Sequence, residues 1–121
     1  MLPINTEGPW TFTAGEAITT PTNGAALAVA FDSSGNIVKC GADAVPRGLI
    51  KESCASGDLV TIHPLRGKAY VVASAAITLN DYVKSAAAGK FATDASLAAT
   101  TLGKARQAAT GDDSVFEAHF G

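Results

Sequence analysis

Turn-forming residues divide this sequence into many short segments, and this constrains its fold more than any other feature. Clusters that contain Gly, Asn, Asp, Ser or Pro occur at 21–24, 32–36, 56–58, 79–81, 87–89 and 110–113. Between them lie runs of four to six residues, many of them β-branched, at 26–31, 37–40, 48–52, 59–63, 69–72, 81–84, 90–93 and 115–120. Many short strands separated by turns are typical of an antiparallel β-barrel or sandwich. We therefore predict a small all-β fold.

The segment 95–109 carries the main signal for a helix. Residues 104–109 are good helix formers, but Thr100, Thr101 and Gly103 interrupt the segment. Its apolar side chains do not recur at the i, i+3, i+4 spacing of an amphipathic helix. We expect at most one short helix, within this segment.

An internal repeat favours strands over a helix. Four features recur in the same order at offsets of 54 to 56 residues: 28–39 as 82–93, 48–50 as 103–105, Gly57-Asp58 as Gly111-Asp112 at an offset of 54, and His63 as His119. We predict two pseudo-repeats, about 14–68 and 73–121, each made of the same strands and turns. By this register, residues 103–108 should form a strand.

Matching turns are expected at equivalent places in the two pseudo-repeats. The predicted turn residues are glycines and the aspartates that follow two of them: Gly35, Gly57, Asp58, Gly89, Gly111 and Asp112. Glycine permits the left-handed backbone of a tight turn, and an aspartate after it can accept backbone N–H bonds. We therefore assign these residues structural roles and not acid–base catalysis.

The first thirteen residues lie in front of both pseudo-repeats. Because Pro3 and Pro9 disfavour a helix there, we expect an extended N-terminal arm, 1–13, followed by a single β domain, 14–121. The larger apolar side chains of the arm are the predicted partner-binding residues: Leu2, Ile4, Trp10 and Phe12. Trp10 is the strongest of them because tryptophan is enriched at binding hot spots, although it could equally fold back to cap the barrel.

The composition predicts a thin core and a surface suited to assembly. Leu, Ile, Val and Phe number 27 among the 121 residues, whereas alanine alone numbers 24. Burial of further apolar surface against other subunits would stabilise such a chain. The formal net charge of −2 and the 17% of charged residues argue against nucleic-acid and membrane partners. No secretory signal is evident, and no apolar run reaches the ~20 residues that cross a bilayer.

No sequence pattern indicates catalysis, and we predict no enzyme, no cofactor and no metal. A nucleophile elbow and a phosphate-binding glycine loop are both missing. His63 and His119 occupy equivalent positions, each expected to end a strand, and further ligands at a spacing suited to a metal site are missing. Cys40 and Cys54 fall in neighbouring predicted strands, where free buried thiols are expected. A cross-strand disulfide between them is the alternative, if the mature particle exists outside the reducing cytosol.

Four patches occur in order along the chain: Gly15-Glu16-Ala17-Ile18-Thr19, Ala28-Val29-Ala30-Phe31, Pro46-Arg47-Gly48-Leu49-Ile50 and Ser56-Gly57-Asp58-Leu59-Val60-Thr61-Ile62. Their order, the richness in alanine and glycine and the doubled half make residues 14–121 resemble the small bacteriophage capsid cement or decoration proteins. The second half departs from that pattern, because Gly103-Lys104-Ala105 replaces the usual apolar run.

This resemblance implies a non-enzymatic virion protein on the outer surface of an icosahedral phage head, made in the host cytoplasm. Its implied partners are the major capsid protein, which it would brace, and itself, usually as a homotrimer and sometimes as a homodimer. The arm could add a strand to an exposed sheet edge of a capsid subunit, with Ile4, Trp10 or Phe12 filling pockets.

The alternative is a virion appendage or a carbohydrate-binding β-domain, in which exposed aromatic side chains stack on sugars. Tyr70 and Tyr82 lie within predicted strands, and a lone tryptophan is a poor platform for a sugar ring. The sequence therefore favours the decoration protein.

Overall fold

A computed structural model describes residues 10–21, 24–42, 44–94 and 101–120. These residues form ten strands: β1 (Trp10–Thr13), β2 (Leu27–Phe31), β3 (Ile37–Lys39), β4 (Gly48–Ile50), β5 (Leu59–His63), β6 (Gly67–Val72), β7 (Tyr82–Ser85), β8 (Phe91–Thr93), β9 (Thr101–Ala105) and β10 (Val115–Phe120). Apart from strands, the described part of the chain contains one 3₁₀ turn, at Ala87–Gly89. The predicted all-β class is confirmed.

The strands form two five-stranded antiparallel sheets in a sandwich-like arrangement. Sheet one has the order β1-β5-β4-β2-β3, and sheet two has the order β6-β10-β9-β7-β8. Adding five to each strand number of sheet one gives the order of sheet two, so the two halves share one topology. The backbone also joins the halves directly, because the Ala26 amide donates to the Tyr70 carbonyl at 2.8 Å. The doubled half predicted from weak sequence identities is therefore present as a repeated strand order.

One pair of glycines shows how closely the two halves match. Gly48 on β4 pairs beside β5 so tightly that a Cβ atom there would lie 2.6 Å from the His63 carbonyl oxygen. A Cβ atom at Gly103 on β9 would meet the carbonyl oxygen of His119 on β10 in the same way. A side chain at either place would push the neighbouring strand away, which explains why both positions are glycine.

The last turn of each half departs from the predicted alignment by two residues. The Gly57 amide donates to the Ala14 carbonyl, and the equivalent bond runs from the Asp113 amide to the Ala73 carbonyl, both at 2.8 Å. Asp113, with φ of 66°, therefore takes the place of Gly57, with φ of 91°. The pairing of Gly57 with Gly111 is wrong, because the halves already differ by 56 residues at this point and not by 54.

The segment predicted as a strand or a short helix forms a strand that starts earlier than expected. β9 spans Thr101–Ala105, where residues 103–108 were expected to form it. It ends at Ala105, and Arg106 then donates its amide to the Glu117 carbonyl at 2.7 Å. The described residues of the predicted helical segment contain no helix, and residues 95–100 lie outside the described part of the chain.

The end of the predicted arm belongs to sheet one. Trp10–Thr13 pairs with β5 along its whole length, from Trp10 opposite Ile62 to Thr13 opposite Leu59. Aromatic and β-branched side chains favour a strand here, and Pro9 can precede an edge strand without losing a ladder bond. The first pseudo-repeat thus begins before residue 14, since β1 is the counterpart of β6. Residues 1–9 lie outside the described residues, so the arm they were expected to form stays a prediction.

Two hydrophobic clusters form the core. The first cluster lies on sheet one and its loops, with one residue from sheet two: Ala14, Ile18, Ala25, Leu27, Val29, Ile37, Ile50, Val60, Ile62 and Val72. The second cluster lies mainly on sheet two, with four residues from the first half: Ala26, Ala28, Cys40, Leu49, Val71, Ala73, Ile77, Val83, Phe91, Ala105, Ala109, Phe116, Ala118 and Phe120. Each cluster draws on both halves, so separating them would expose apolar surface to water.

Candidate partner-binding site

Two of the predicted partner-binding residues line a cleft on sheet one, which we call the aromatic cleft. Its walls are five side chains from three strands and one loop: Trp10, Phe12, Phe31, Arg47 and Ile62. The cleft encloses about 230 Å³, below the roughly 300–1,000 Å³ of typical small-molecule sites. Its size therefore suits a side chain of another protein better than a free ligand.

The strand pairing assembles the aromatic cleft. Trp10 and Phe12 lie two residues apart on β1, so their side chains project to the same face of sheet one. Trp10 lies directly opposite Ile62 on β5. The rings of Phe12 and Phe31 meet edge to face, with centroids 4.9 Å apart and planes at 75°. This is a favourable aromatic geometry, so the two rings hold each other in place.

The rim of the aromatic cleft combines an exposed ring with a cation. Phe31 ends β2 and keeps 39% of its surface exposed. Arg47 precedes β4 and is exposed, while its amide donates to the Val29 carbonyl at 2.8 Å and fixes the start of that strand. Aromatic residues and arginine are enriched at protein interfaces. The cleft can therefore receive an apolar or aromatic side chain and pair a nearby carboxylate with the guanidinium.

The structure brings together only part of the predicted set. Trp10 and Phe12 meet in the aromatic cleft, whereas Leu2 and Ile4 lie outside the described residues. Phe31 and Arg47 are not among the predicted partner-binding residues. One signal could have found Phe31: the repeat pairs it with Ser85, so a large ring stands where the second half has a small hydroxyl.

The predicted turn residues lie in turns, with one difference in backbone shape. Gly35, Gly57 and Gly89 have φ angles of 80°, 91° and 75°, the left-handed region that suits glycine. Gly111 lies in the turn before β10, but Asp113 adopts the left-handed conformation there. Gly111 therefore occupies a different position in its turn from the position that Gly57 occupies in the first half.

The two predicted turn aspartates have different partners. Asp58 Oδ2 accepts the Ala55 amide at 2.9 Å, the turn role expected of it. Asp112 instead pairs with Lys90, whose Nζ lies 2.9 Å from Asp112 Oδ1 and 2.7 Å from Asp113 Oδ1. The hydrogen bonds to Asp113 and Asp112 raise the pKa of Lys90 above 10.5. These three side chains tie the turn before β10 to the start of β8.

The two histidines that close matching strands differ in environment. His63 ends β5 half-buried, and desolvation lowers its pKa below 6.5, helped by the charge of Lys51 and opposed by Glu52. His119 is exposed near the end of β10. Within the described ranges, no three His, Cys, Asp or Glu side chains come together as metal ligands. In the same part of the chain, no helix has the length and apolar character to cross a bilayer.

Both cysteines are free thiols. Cys40 is buried in the second cluster, whereas Cys54 is half-buried against the first. The two side chains pack into different parts of the core and are not joined in this structure.

A solved structure with a similar fold is the head fiber gp8.5 N base in bacteriophage phi29. It matches this chain with a TM-score of 0.75 at 17% sequence identity, over 94% of this chain and 93% of that chain. No protein-family model matches the sequence, and neither does any curated protein sequence. The chain therefore shares its fold with that head fiber base over nearly its whole length.

Proposed function

We propose that this protein is a structural, non-enzymatic component of a phage virion that binds the outer surface of the head as a decoration or cement protein. The observation that carries the proposal is the fold shared with the phi29 head fiber base over 94% of the chain. The order of sequence patches that resembles the capsid cement proteins supports it independently. Its partners would be the major capsid protein and further copies of itself.

The aromatic cleft is the contact surface we assign to the capsid protein. Interface energy concentrates in a few buried aromatic and arginine residues, and the cleft gathers Trp10, Phe31 and Arg47 at one place. An apolar side chain of the capsid protein would fill the cleft, and a carboxylate beside it would pair with Arg47. Residues 1–9 lead directly into Trp10, so Leu2 and Ile4 would extend the same contact.

Self-association would strengthen a contact of this size. A cleft of about 230 Å³ holds little more than one side chain, so a single copy would bind weakly. A homotrimer that engages several capsid subunits at once gains avidity without any new contact, and cyclic symmetry closes such an assembly. The thin, alanine-rich core favours burial of further surface between subunits.

A second candidate function is the base of a virion appendage. The protein with the similar fold is itself a head fiber base, which favours this function. Both functions require attachment to the head, but they differ in what attachment does. A cement protein would raise the temperature at which heads release their DNA, because its binding stabilises the intact shell, whereas an appendage base would leave that temperature unchanged.

Co-sedimentation with purified heads tests the proposed function. Heads from phage that lack this protein would be mixed with wild-type protein, with Phe31→Ala, or with Leu79→Ala as the matched control. Leu79 is also an exposed apolar residue, but it lies outside the aromatic cleft. We expect wild type and Leu79→Ala to saturate the heads and Phe31→Ala to bind at least about tenfold more weakly. Failure of wild-type protein to bind heads would overturn the proposal.

A further inference from the structure

One face of sheet two carries a row of basic and aromatic side chains. Direct cross-strand partners run Tyr82 to Lys104, Lys104 to His119 and His119 to Lys68, across β7, β9, β10 and β6. Residues directly opposite on antiparallel strands project to the same face. These four side chains therefore lie side by side, and we call them, with neighbouring Tyr70 and Glu117, the basic face.

Side-chain contacts confirm that the row shares one surface. Lys104 Nζ lies 5.5 Å from the centroid of the Tyr82 ring. Lys68 Nζ lies 3.9 Å from Oε2 of Glu117, which precedes His119 by two residues on β10. The Lys68 side chain is 68% exposed, and Tyr70 and Tyr82 are 51% and 42% exposed. Neighbouring strands lie ~4.8 Å apart, so the row is roughly 15 Å long.

In the same row of sheet one, the first two positions are buried and apolar. There, Ala28 lies opposite Leu49 and Leu49 lies opposite His63, in the places of Tyr82, Lys104 and His119. Ala28 and Leu49 are 0% and 2% exposed because they pack into the second cluster, against sheet two. The repeat thus uses this row for internal packing in one half and leaves it open, with polar chemistry, in the other.

Acidic and basic residues are also divided unequally between the two halves of the chain. Residues 1–65 contain six acidic and three basic residues, whereas residues 66–121 contain five acidic and six basic residues. The chain as a whole has a formal charge of −2, yet the basic face places two lysines and a histidine in one row, with Glu117 beside Lys68. A positive surface on a negative protein complements an acidic partner and steers its approach.

We propose that the basic face docks on an acidic surface of another protein, whose carboxylates are spaced by about 5 Å. Acidic residues at i, i+4 on a helix, or on adjacent strands, have this spacing. Tyr70 and Tyr82 add apolar contact beside the charges, as tyrosine does at protein interfaces. Glu117 within the face and the low charge density disfavour nucleic acid, whose binding requires a denser array of cations. Only the identity of the partner, a virion protein, rests on the proposed function.

Fluorescence anisotropy with labelled polyanions tests the proposal on the whole chain. The probes are a 20-residue poly-L-glutamate and a DNA duplex that carries the same charge. The face variant is Lys68→Gln with Lys104→Gln, and the control is Lys39→Gln with Lys51→Gln, which changes net charge equally but lies on or beside sheet one. Thermal melting checks that both variants are folded.

We expect wild-type protein to bind poly-L-glutamate, to lose affinity as NaCl rises, and to bind the duplex more weakly. The face variant should bind poly-L-glutamate about tenfold more weakly, a loss that two surface charges can cause, and the control should stay within about twofold of wild type. Equal losses in both variants, tighter binding to DNA, or no binding would overturn the proposal. The head co-sedimentation is separate, so poly-L-glutamate binding without head binding would refute the proposed function and leave the acidic-partner docking intact.

Discussion

Replacement of Gly48 by alanine tests the strand packing that makes the two halves alike. The new methyl group would lie 2.6 Å from the His63 carbonyl oxygen and 2.6 Å from Ile62 Cγ2. Carbon atoms ordinarily keep about 3.5 Å or more from such neighbours. Because one of the two atoms belongs to the backbone of β5, which pairs with β4 on one side and with β1 on the other, the strand cannot move away alone.

The expected loss of stability follows from two opposing effects. Overpacking in a well-packed region costs about 1–3 kcal/mol. Alanine in place of glycine also lowers the entropy of the unfolded chain, which returns about 0.4–1 kcal/mol. The net free energy of unfolding should fall by about 1.3 kcal/mol, which lowers Tm by about 5 °C in a chain of 121 residues. Gly103→Ala on β9 should behave in the same way.

Circular dichroism melts and urea titrations measure this change. The control is Gly111→Ala, because a Cβ atom at Gly111 meets nothing within 4 Å and its φ is not in the left-handed region. We expect Gly111→Ala to melt within about 2 °C of wild type. If Gly48→Ala melted at or above the wild-type temperature, the close approach of β4 and β5 would be refuted.

Three further experiments have defined outcomes. Because the pKa of His63 is lowered in the folded protein, the unfolded chain binds this proton more readily, and the free energy of unfolding should fall as pH drops through 6.5. In urea titrations at pH 7.5 and 5.5, this fall should be smaller for His63→Gln than for wild type. His119→Gln should not reduce it. Lys90→Met should lower the free energy of unfolding by less than about 1 kcal/mol, because its aspartate partners are largely exposed; a larger loss in a urea titration would contradict this. Phe91→Ala empties a fully buried site and should lower the free energy of unfolding by about 3–5 kcal/mol. Phe31→Ala should lower it by less than about 1.5 kcal/mol. Equal losses for the two variants in urea titrations would be inconsistent with a partly exposed Phe31.

Strand positions and the doubled half could be predicted because they depend on local patterns. Turn clusters mark where strands end, and the sequence itself shows a glycine 15 or 16 residues before a histidine in each half, Gly48 before His63 and Gly103 before His119. The two-residue error at Gly57 and Gly111 arose where an insertion changes the offset within the second half. Weak identities cannot locate such an insertion.

The aromatic cleft and the basic face could not be predicted, because both depend on which strands become neighbours. Phe31 contacts Phe12 although β5 and β4 lie between their strands in sheet one, a contact that the sequence does not indicate. Lys104 becomes a surface residue and Leu49 a core residue although they occupy equivalent positions. Periodicity assigns side chains to the two faces of a strand, but it does not say which face another sheet will cover.

Electron cryo-microscopy of purified virions, with and without this protein, measures its place in the particle most directly. Attachment to the head predicts density for the two-sheet domain on the outer capsid surface, with the aromatic cleft against the major capsid protein. That density should disappear from particles that lack the protein and return when it is added back. Virions whose heads carry no such density, and which do not take it up on incubation with excess protein, would contradict the account.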